Sequence, residues 1–204
     1  MGFYSDVILP RLCHLAMRSS RFAPYRERVI GAAEGRVLEI GIGSGLNLPF
    51  YRGSVDEIVA LEPSPHLISM ARHAARTSPI DVTFIEGSAE TIPLDTRSID
   101  TVISTWTLCT IPHAATALGE MRRVLRPGGR LLFVEHGLAP DQSIRKWQNG
   151  LTPAWRLLSG GCHLNRPIQT IIEGAGFRFD RLELGYMTGQ KSMAFMYEGS
   201  ARAG

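Results

Sequence analysis

Two carboxylates and three glycines stand where a chain could hold a small charged ligand. The stretch VLEIGIGSGLN, residues 37–47, places Glu39 two residues before Gly41, with Gly43 and Gly45 at every second position after it. Glycine allows close backbone approach and positive φ, so an apolar run that ends in such a turn makes a ligand site at the carboxyl edge of a sheet. The spacing is one residue shorter than the dinucleotide fingerprint G-x-G-x-x-G, which opposes a nicotinamide-dependent oxidoreductase, and the phosphate-loop lysine is absent. A carboxylate just ahead of the turn suits a cationic ligand better than a pyrophosphate. Glu62 ends the next apolar run, in ALEPSPHL, seventeen residues past Gly45. At the end of the second strand of a doubly wound sheet an acid accepts hydrogen bonds from ribose hydroxyls; the plainer alternative is an acid at a helix start, just before Pro63. A nucleoside with a positive charge and no phosphate satisfies both acids, and S-adenosylmethionine is such a molecule.

Other chemistry-bearing residues fall in the second half. Methyl transfer from a sulfonium is an in-line displacement from an activated donor, so positioning supplies much of the rate. Where an acceptor must also lose a proton, as a thiol does, a base with a pKa near the operating pH is enough. His136 in VEHG is the first candidate base and His163 in GCHLNR the second, each weighed against a purely structural histidine. Neighbouring Glu135 either orients a group beside it or pairs with an arginine. Cys109 and Cys162 offer a covalent relay or, more plainly, small packing side chains. Trp106, Trp147 and Trp155 suit the wall of an apolar acceptor pocket, an aromatic cage for a quaternising amine, or a core. The three cysteines lie far apart with no CxxC, which argues against a disulfide framework or structural zinc and for a reducing compartment. With no HxxxH pair and no acid cluster, no metal is expected.

These residues need a scaffold. A chain of 204 residues is long enough for one domain with a full core. Its net charge of +3 and scattered arginines give no nucleic-acid footprint, and a small-molecule partner is expected instead. No apolar run approaches the roughly 18 residues that span a bilayer, and the signal-peptide layout is missing, so the expected location is cytoplasmic. Residues 1–34 read as a helical prelude packed on a domain of residues 35–204. Val7, Ile8, Leu12, Leu15 and Ala16 recur at helical spacing from Phe3 onward, and Pro24 opens a second short helix. The sharper alternative is a lid or a helix lying on a membrane surface. No sequence pattern assigns an oligomeric state.

From Arg36 the chain alternates. Strands are expected over 37–40, 58–61, 82–85, 101–104 and 130–135. Helices are expected just after the glycines and over 65–77, 114–125, 142–158 and 167–175, with RPGG stopping the third of these. Two closing strands, 177–184 and from Ser192 to 197, follow one another with only a loop between and should pair antiparallel at one edge. The pattern is an α/β fold with a parallel sheet covered on both faces.

The ordered stretches VLEIGIGSGLN, LEPSPHLI, EGSAETIPL, SIDTVIST and EMRRVLRPGGRLLFVEH resemble those of the class I S-adenosylmethionine-dependent methyltransferases. The resemblance runs from Val37 to His136. It implies a Rossmann-like, doubly wound, seven-stranded sheet whose last strand is antiparallel, with S-adenosylmethionine as cofactor and S-adenosylhomocysteine as product. By that resemblance Glu39 approaches the methionine amino group, directly or through water. Gly41, Gly43 and Gly45 line the methionyl side, with Asn47 at the end of the turn. Glu62, followed by Pro63, holds the ribose; Ser88, Ala89 and Glu90 edge the adenine; Thr105 sits beside the sulfonium. Many relatives carry Asp where Ser88 stands. Between Leu108 and Phe177 the chain is similar to small-molecule thiol S-methyltransferases and their bacterial relatives, whose animal members carry an N-terminal hydrophobic anchor. The resemblance also admits a phospholipid or small-amine N-methyltransferase. A different class of function, a non-catalytic protein that binds S-adenosylmethionine, is the remaining alternative.

Overall fold

The computed structural model describes residue 4, residues 8–187 and residues 194–204. Seven strands make one sheet: β1 (Gly35–Ile40), β2 (Val55–Glu62), β3 (Val82–Glu86), β4 (Ile99–Thr105), β5 (Leu125–His136), β6 (Phe177–Tyr186) and β7 (Phe195–Ala203). Their spatial order is β3-β2-β1-β4-β5-β7-β6. β1 to β5 pair in parallel, whereas β7 runs antiparallel to both β5 and β6. The expected doubly wound sheet with its antiparallel last strand is therefore present, with β7 set inside and β6 at the edge. The helices are α1 (Leu9–Met17), α2 (Ala23–Ile30), α3 (Pro65–Ala75), α4 (Ala114–Val124), α5 (Gln142–Leu158) and α6 (Ile168–Gly174). The expected starts at Phe3 and Ser192, and Val7, lie outside the described residues.

The central strands read as unbroken apolar runs because both faces are covered. Alternate residues point to opposite faces. Leu38, Val59, Val102 and Phe133 join one cluster with Leu118 and Met121 of α4 and Ile168 and Ile172 of α6. Val37, Ile58, Ile103 and Leu132 join the other, with Val29 and Ile30 of α2 and Ala71 of α3. α3 begins where the sequence sets both start signals: the Ser64 hydroxyl accepts from the Leu67 amide at 3.4 Å, and Pro65 follows. Arg28 of α2 grips Glu198 of β7 through two bonds of 2.8 and 2.6 Å, a bidentate pairing that fixes the prelude against the sheet.

Two local expectations need correction. After the glycines there is no α-helix, only a single 3-10 turn at Leu48–Phe50; the chain turns extended at Tyr51, whose hydroxyl is drawn to Glu39. RPGG does not separate α4 from β5 as a free turn. Ile99 pairs with Leu125 and Thr101 with Arg130, so residues 126–129 bulge out within a strand that starts directly after α4, with Gly128 at φ 83°. The register also aligns the carboxyl ends: Ile40 lies opposite Leu61 and Ser104, and Thr105 opposite Val134. The chosen acids and His136 thus share one edge.

Candidate cofactor and acceptor site

That edge opens onto a cavity of about 1010 Å³, walled on one side by α1 through Cys13, His14 and Met17. The glycine turn forms its floor. Gly41 donates to the Leu61 carbonyl at 2.8 Å, and a Cβ on it would stand 2.6 Å from Thr107 Cγ2. Gly43, at φ 56°, faces open space, where the nearest atom to an added Cβ is 4.0 Å away. Gly45 differs: its Cβ would meet Ala74 Cβ and Leu48 Cδ1 at 3.1 Å. It packs the turn against α3 behind the cavity wall, which corrects its expected place in the lining.

Glu62 is 5% exposed and lines the cavity. Its Oε2 accepts from the Gly43 amide and its Oε1 from the Ser64 amide, both at 3.0 Å. Burial still pushes its pKa above the ordinary value. Glu39 is fully buried behind the lining, which leaves an indirect approach to a ligand. Its oxygens accept from Asn47 Nδ2 at 2.7 Å and from the Tyr51 hydroxyl at 2.6 Å. Burial raises its pKa to about 7, against the opposing pull of those two bonds and of Arg26. Asn47 carries the connection to the cavity: it also donates to Thr105 Oγ1 at 2.9 Å and accepts from Arg26 Nε at 2.9 Å, and both Asn47 and Thr105 face the space. Pro63, Ser88, Ala89 and Glu90 line the adjoining wall. Ser88 Oγ accepts from the Glu90 amide at 3.2 Å, while Glu90 Oε1 accepts from His113 N at 2.7 Å.

The opposite end is built on β4 and β5. Trp106 follows β4 at φ 51°, a left-handed conformation that a bulky residue holds only when its surroundings impose it. Here they do: its amide donates to Val134 O at 2.8 Å, the Phe22 ring meets it edge-on at 5.0 Å, and Arg26 lies 5.1 Å from its ring centre. Glu135 Oε1 accepts from Ser104 Oγ, Thr107 N and Leu108 N at 2.8, 3.1 and 3.1 Å. It orients the turn after β4 rather than pairing with an arginine, and burial raises its pKa.

His136, Cys109 and Cys162 converge in the cavity wall. His136 Nε2 lies 3.1 Å from Cys162 Sγ, which lies 3.5 Å from Cys109 Sγ. Cysteines far apart in sequence are therefore neighbours, contrary to the expected dispersal. The hydrogen bond to Cys109 and burial push the Cys162 thiol up. Trp155 joins Trp106 in the wall, but Trp147 is 65% exposed on the outer side of α5. His163 is also displaced from its expected role. Its Nδ1 lies 3.0 Å from the Cys109 carbonyl oxygen and its amide donates there at 2.9 Å, so it anchors the Cys109 segment outside the lining. Burial lowers its pKa.

A family profile described as a methyltransferase domain matches residues 38–133. The chain is 34% identical to thiol S-methyltransferase TMT1B of Rattus norvegicus over 154 residues, 74% of this chain and 63% of that protein. It is 28% identical to a phosphatidylethanolamine N-methyltransferase of Cereibacter sphaeroides over 109 residues, 52% of this chain and 53% of the relative. The structure of an S-adenosylmethionine-dependent methyltransferase from Thermotoga maritima matches at a TM-score of 0.67 and 21% identity, covering 98% of this chain and 99% of that one.

The chain belongs to the class I S-adenosylmethionine-dependent methyltransferases. It spans less than two thirds of the rat relative's length. The family's cofactor is S-adenosylmethionine, and the residues present fit it. A carboxylate has about four lone-pair sites; Glu62 uses two on backbone amides and keeps capacity for two ribose hydroxyls. The open space over Gly43 admits a ligand against bare backbone. Sequence reasoning missed Arg26, Tyr51, Cys13 and His14. The last bonds Ser44 Oγ at 2.6 Å and so ties α1 to the glycine turn. All but Tyr51 sit in a prelude whose spacing shows only an apolar helix face, and the Tyr51 contact depends on a turn that periodicity does not specify.

Proposed function

We propose that this protein methylates a small apolar thiol, with S-adenosylmethionine as donor. The observation that carries the reading is the make-up of the cavity end around His136: Trp106, Trp155, Leu164 and Met196 supply apolar wall, while the acids of the lining, Glu62 and Glu90, belong to the nucleoside end. An apolar thiol suits that environment better than a cationic amine. The likeness to a thiol S-methyltransferase supports the same choice.

When bound, S-adenosylmethionine supplies a methyl group already activated on a sulfonium. The chain contributes position and protection. Glu62 holds the ribose, Asn47 backed by Glu39 receives the methionine ammonium, and Ser88, Ala89 and Glu90 edge the adenine. Thr105, bonded to Asn47, sits at the boundary between the two ends. The tryptophan walls keep water from the acceptor sulfur, and His136 is placed at the end of β5 to take its proton.

The test is release of S-adenosylhomocysteine with small thiols, small amines and phosphatidylethanolamine vesicles as acceptors. Turnover with thiols is expected, rising as pH approaches the free thiol pKa of about 8.5. Turnover of the amines or lipid alone would overturn the thiol reading. Cofactor binding with no turnover on any acceptor would favour a non-catalytic binding protein.

We also propose a cytoplasmic location with contact to an anionic membrane surface. α5 buries Gln148 and Thr152 and exposes Trp147, Leu151, Leu157 and Leu158, while α1 exposes Leu12 and Leu15. The Tyr4 hydroxyl donates to the Leu158 carbonyl at the end of α5 at 2.8 Å. Exposed Arg11, Arg18, Arg145, Lys146 and Arg156 lie on the same helices or at their ends, the composition of an interfacial surface. Among the described residues no helix is long and apolar enough to cross a membrane.

A further inference from the structure

We propose that Cys109, Cys162 and His136 bind one borderline-soft divalent cation of the zinc type, with a fourth position open to the acceptor thiol. The activation role rests on the thiol reading above; the cation site itself does not. The three candidate ligand atoms lie within 4.8 Å of one another, and all three residues face the cavity. A tetrahedral zinc with Zn–S bonds of about 2.3 Å and Zn–N bonds of about 2.0 Å sets two sulfurs about 3.8 Å apart and a sulfur and nitrogen about 3.5 Å apart. The observed separations are 3.5 Å between the sulfurs and 3.1 Å between Cys162 Sγ and His136 Nε2. Small rotations bring these atoms onto one cation. Two cysteines, one histidine and an open position facing a ligand cavity form a donor set known for catalytic zinc, whereas a structural site closes all four positions.

The surroundings hold the set in place. His163 bonds the Cys109 carbonyl oxygen through both its ring and its amide. Arg166 donates through one nitrogen to the Leu108 and Ile111 carbonyl oxygens, which fixes the segment on either side of Cys109. His136 is anchored by β5, whose pairing with β7 extends to His136 opposite Met196.

The chemistry follows from the open position. A thiol bound to such a cation is deprotonated outright. The acceptor gives its proton to solvent and its sulfur keeps the electron pair. That pair forms the new bond to the methyl carbon as the carbon's bond to the sulfonium sulfur breaks, its electrons passing to the departing thioether. The methylated acceptor is then a neutral, weaker ligand and leaves. His136 acts in this arrangement as a ligand, and the cation replaces it in removing the proton.

The test uses the full chain, reduced and freed of metal by chelation, titrated with Co²⁺ alone. Wild type should take up one equivalent with a thiolate-to-cobalt charge-transfer band. Cys109→Ser and Cys162→Ser should each weaken uptake by more than the about 10–100-fold that loss of an outer partner costs, while Cys13→Ser should retain the band. Absence of the band in wild type, or its survival in both ligand variants, would overturn the site. If a variant fails to fold, X-ray absorption at the zinc edge on loaded wild type decides: two sulfurs near about 2.3 Å support the site, and an oxygen-only shell overturns it. Thiol turnover by metal-free protein at the full rate would overturn the activation role while leaving the methyltransferase reading intact. A cobalt band without thiol turnover would support the site and remove the thiol reading.

Discussion

Glu39 and Glu62 look alike in sequence, each an acid near a strand end, but the structure gives them different physics. Glu62 is held by two backbone amides at the cavity wall. Glu62→Gln keeps an acceptor for one amide but loses charge-assisted bonds to the ribose, so cofactor affinity should fall by about 1.5–3 kcal/mol. Calorimetry with normal and 2′-deoxy analogues checks this: the analogues should differ on wild type and converge on the variant. Glu39 is buried with a pKa of about 7 against an ordinary 4.5. Between those values the folded chain keeps a proton that the unfolded chain has lost, so this group makes stability fall as pH rises through that window. Glu39→Gln should therefore match wild type at about pH 4 and unfold at higher temperature than wild type at about pH 8, while binding the cofactor more weakly. Thermal unfolding across that range reads the first effect. A variant less stable than wild type at the alkaline end would contradict the buried-acid account.

At the scale of elements, the glycine turn separates two kinds of contribution. Gly43 faces the cavity, whereas Gly45 meets α3. Gly45→Val should destabilise the fold by forcing apart the turn and the Ala71–Ala74 surface, read as a lower unfolding midpoint. Gly43→Val carries backbone strain from its φ of 56° but no packing clash, so the larger loss should be in ligand binding. The sequence made the turn legible because glycine has few reasons to recur at such spacing, yet it could not tell which glycine met a ligand and which met a helix. Periodicity located the strands because covered parallel strands are apolar on both faces. It did not reveal the bulge at residues 126–129, since a proline and two glycines read equally as a helix stop. α1 and α5 each present leucines to solvent. Leu157 is 82% exposed and Leu15 66%, so Leu15→Glu and Leu157→Glu together should abolish sedimentation with anionic vesicles while leaving cofactor affinity unchanged. Undiminished sedimentation would contradict the membrane-facing role.

At the scale of the whole molecule, the sheet's switch of direction between β1 and β4 leaves room where the two halves diverge, and the chain fills that room with different chemistry at its two ends. The wall proposed for the nucleoside was legible as a sheet-edge position, because Glu62 ends β2 and Ser88 to Glu90 follow β3. The acceptor end was not: Cys109 and Cys162 are 53 residues apart and meet at 3.5 Å only because β4 and the segment after α5 return to the same edge. Trp147 and Trp155 share a helix and face different ways for the same reason, since only the fold decides which side of α5 meets the cavity. The central claim is that this edge holds S-adenosylmethionine across the glycine turn. Its most direct test is a calorimetric titration of wild type, Gly43→Val and Trp147→Ala. Wild type and Trp147→Ala should bind in the micromolar range, about −8 kcal/mol, and folded Gly43→Val should not bind measurably; wild-type affinity in folded Gly43→Val would contradict the account.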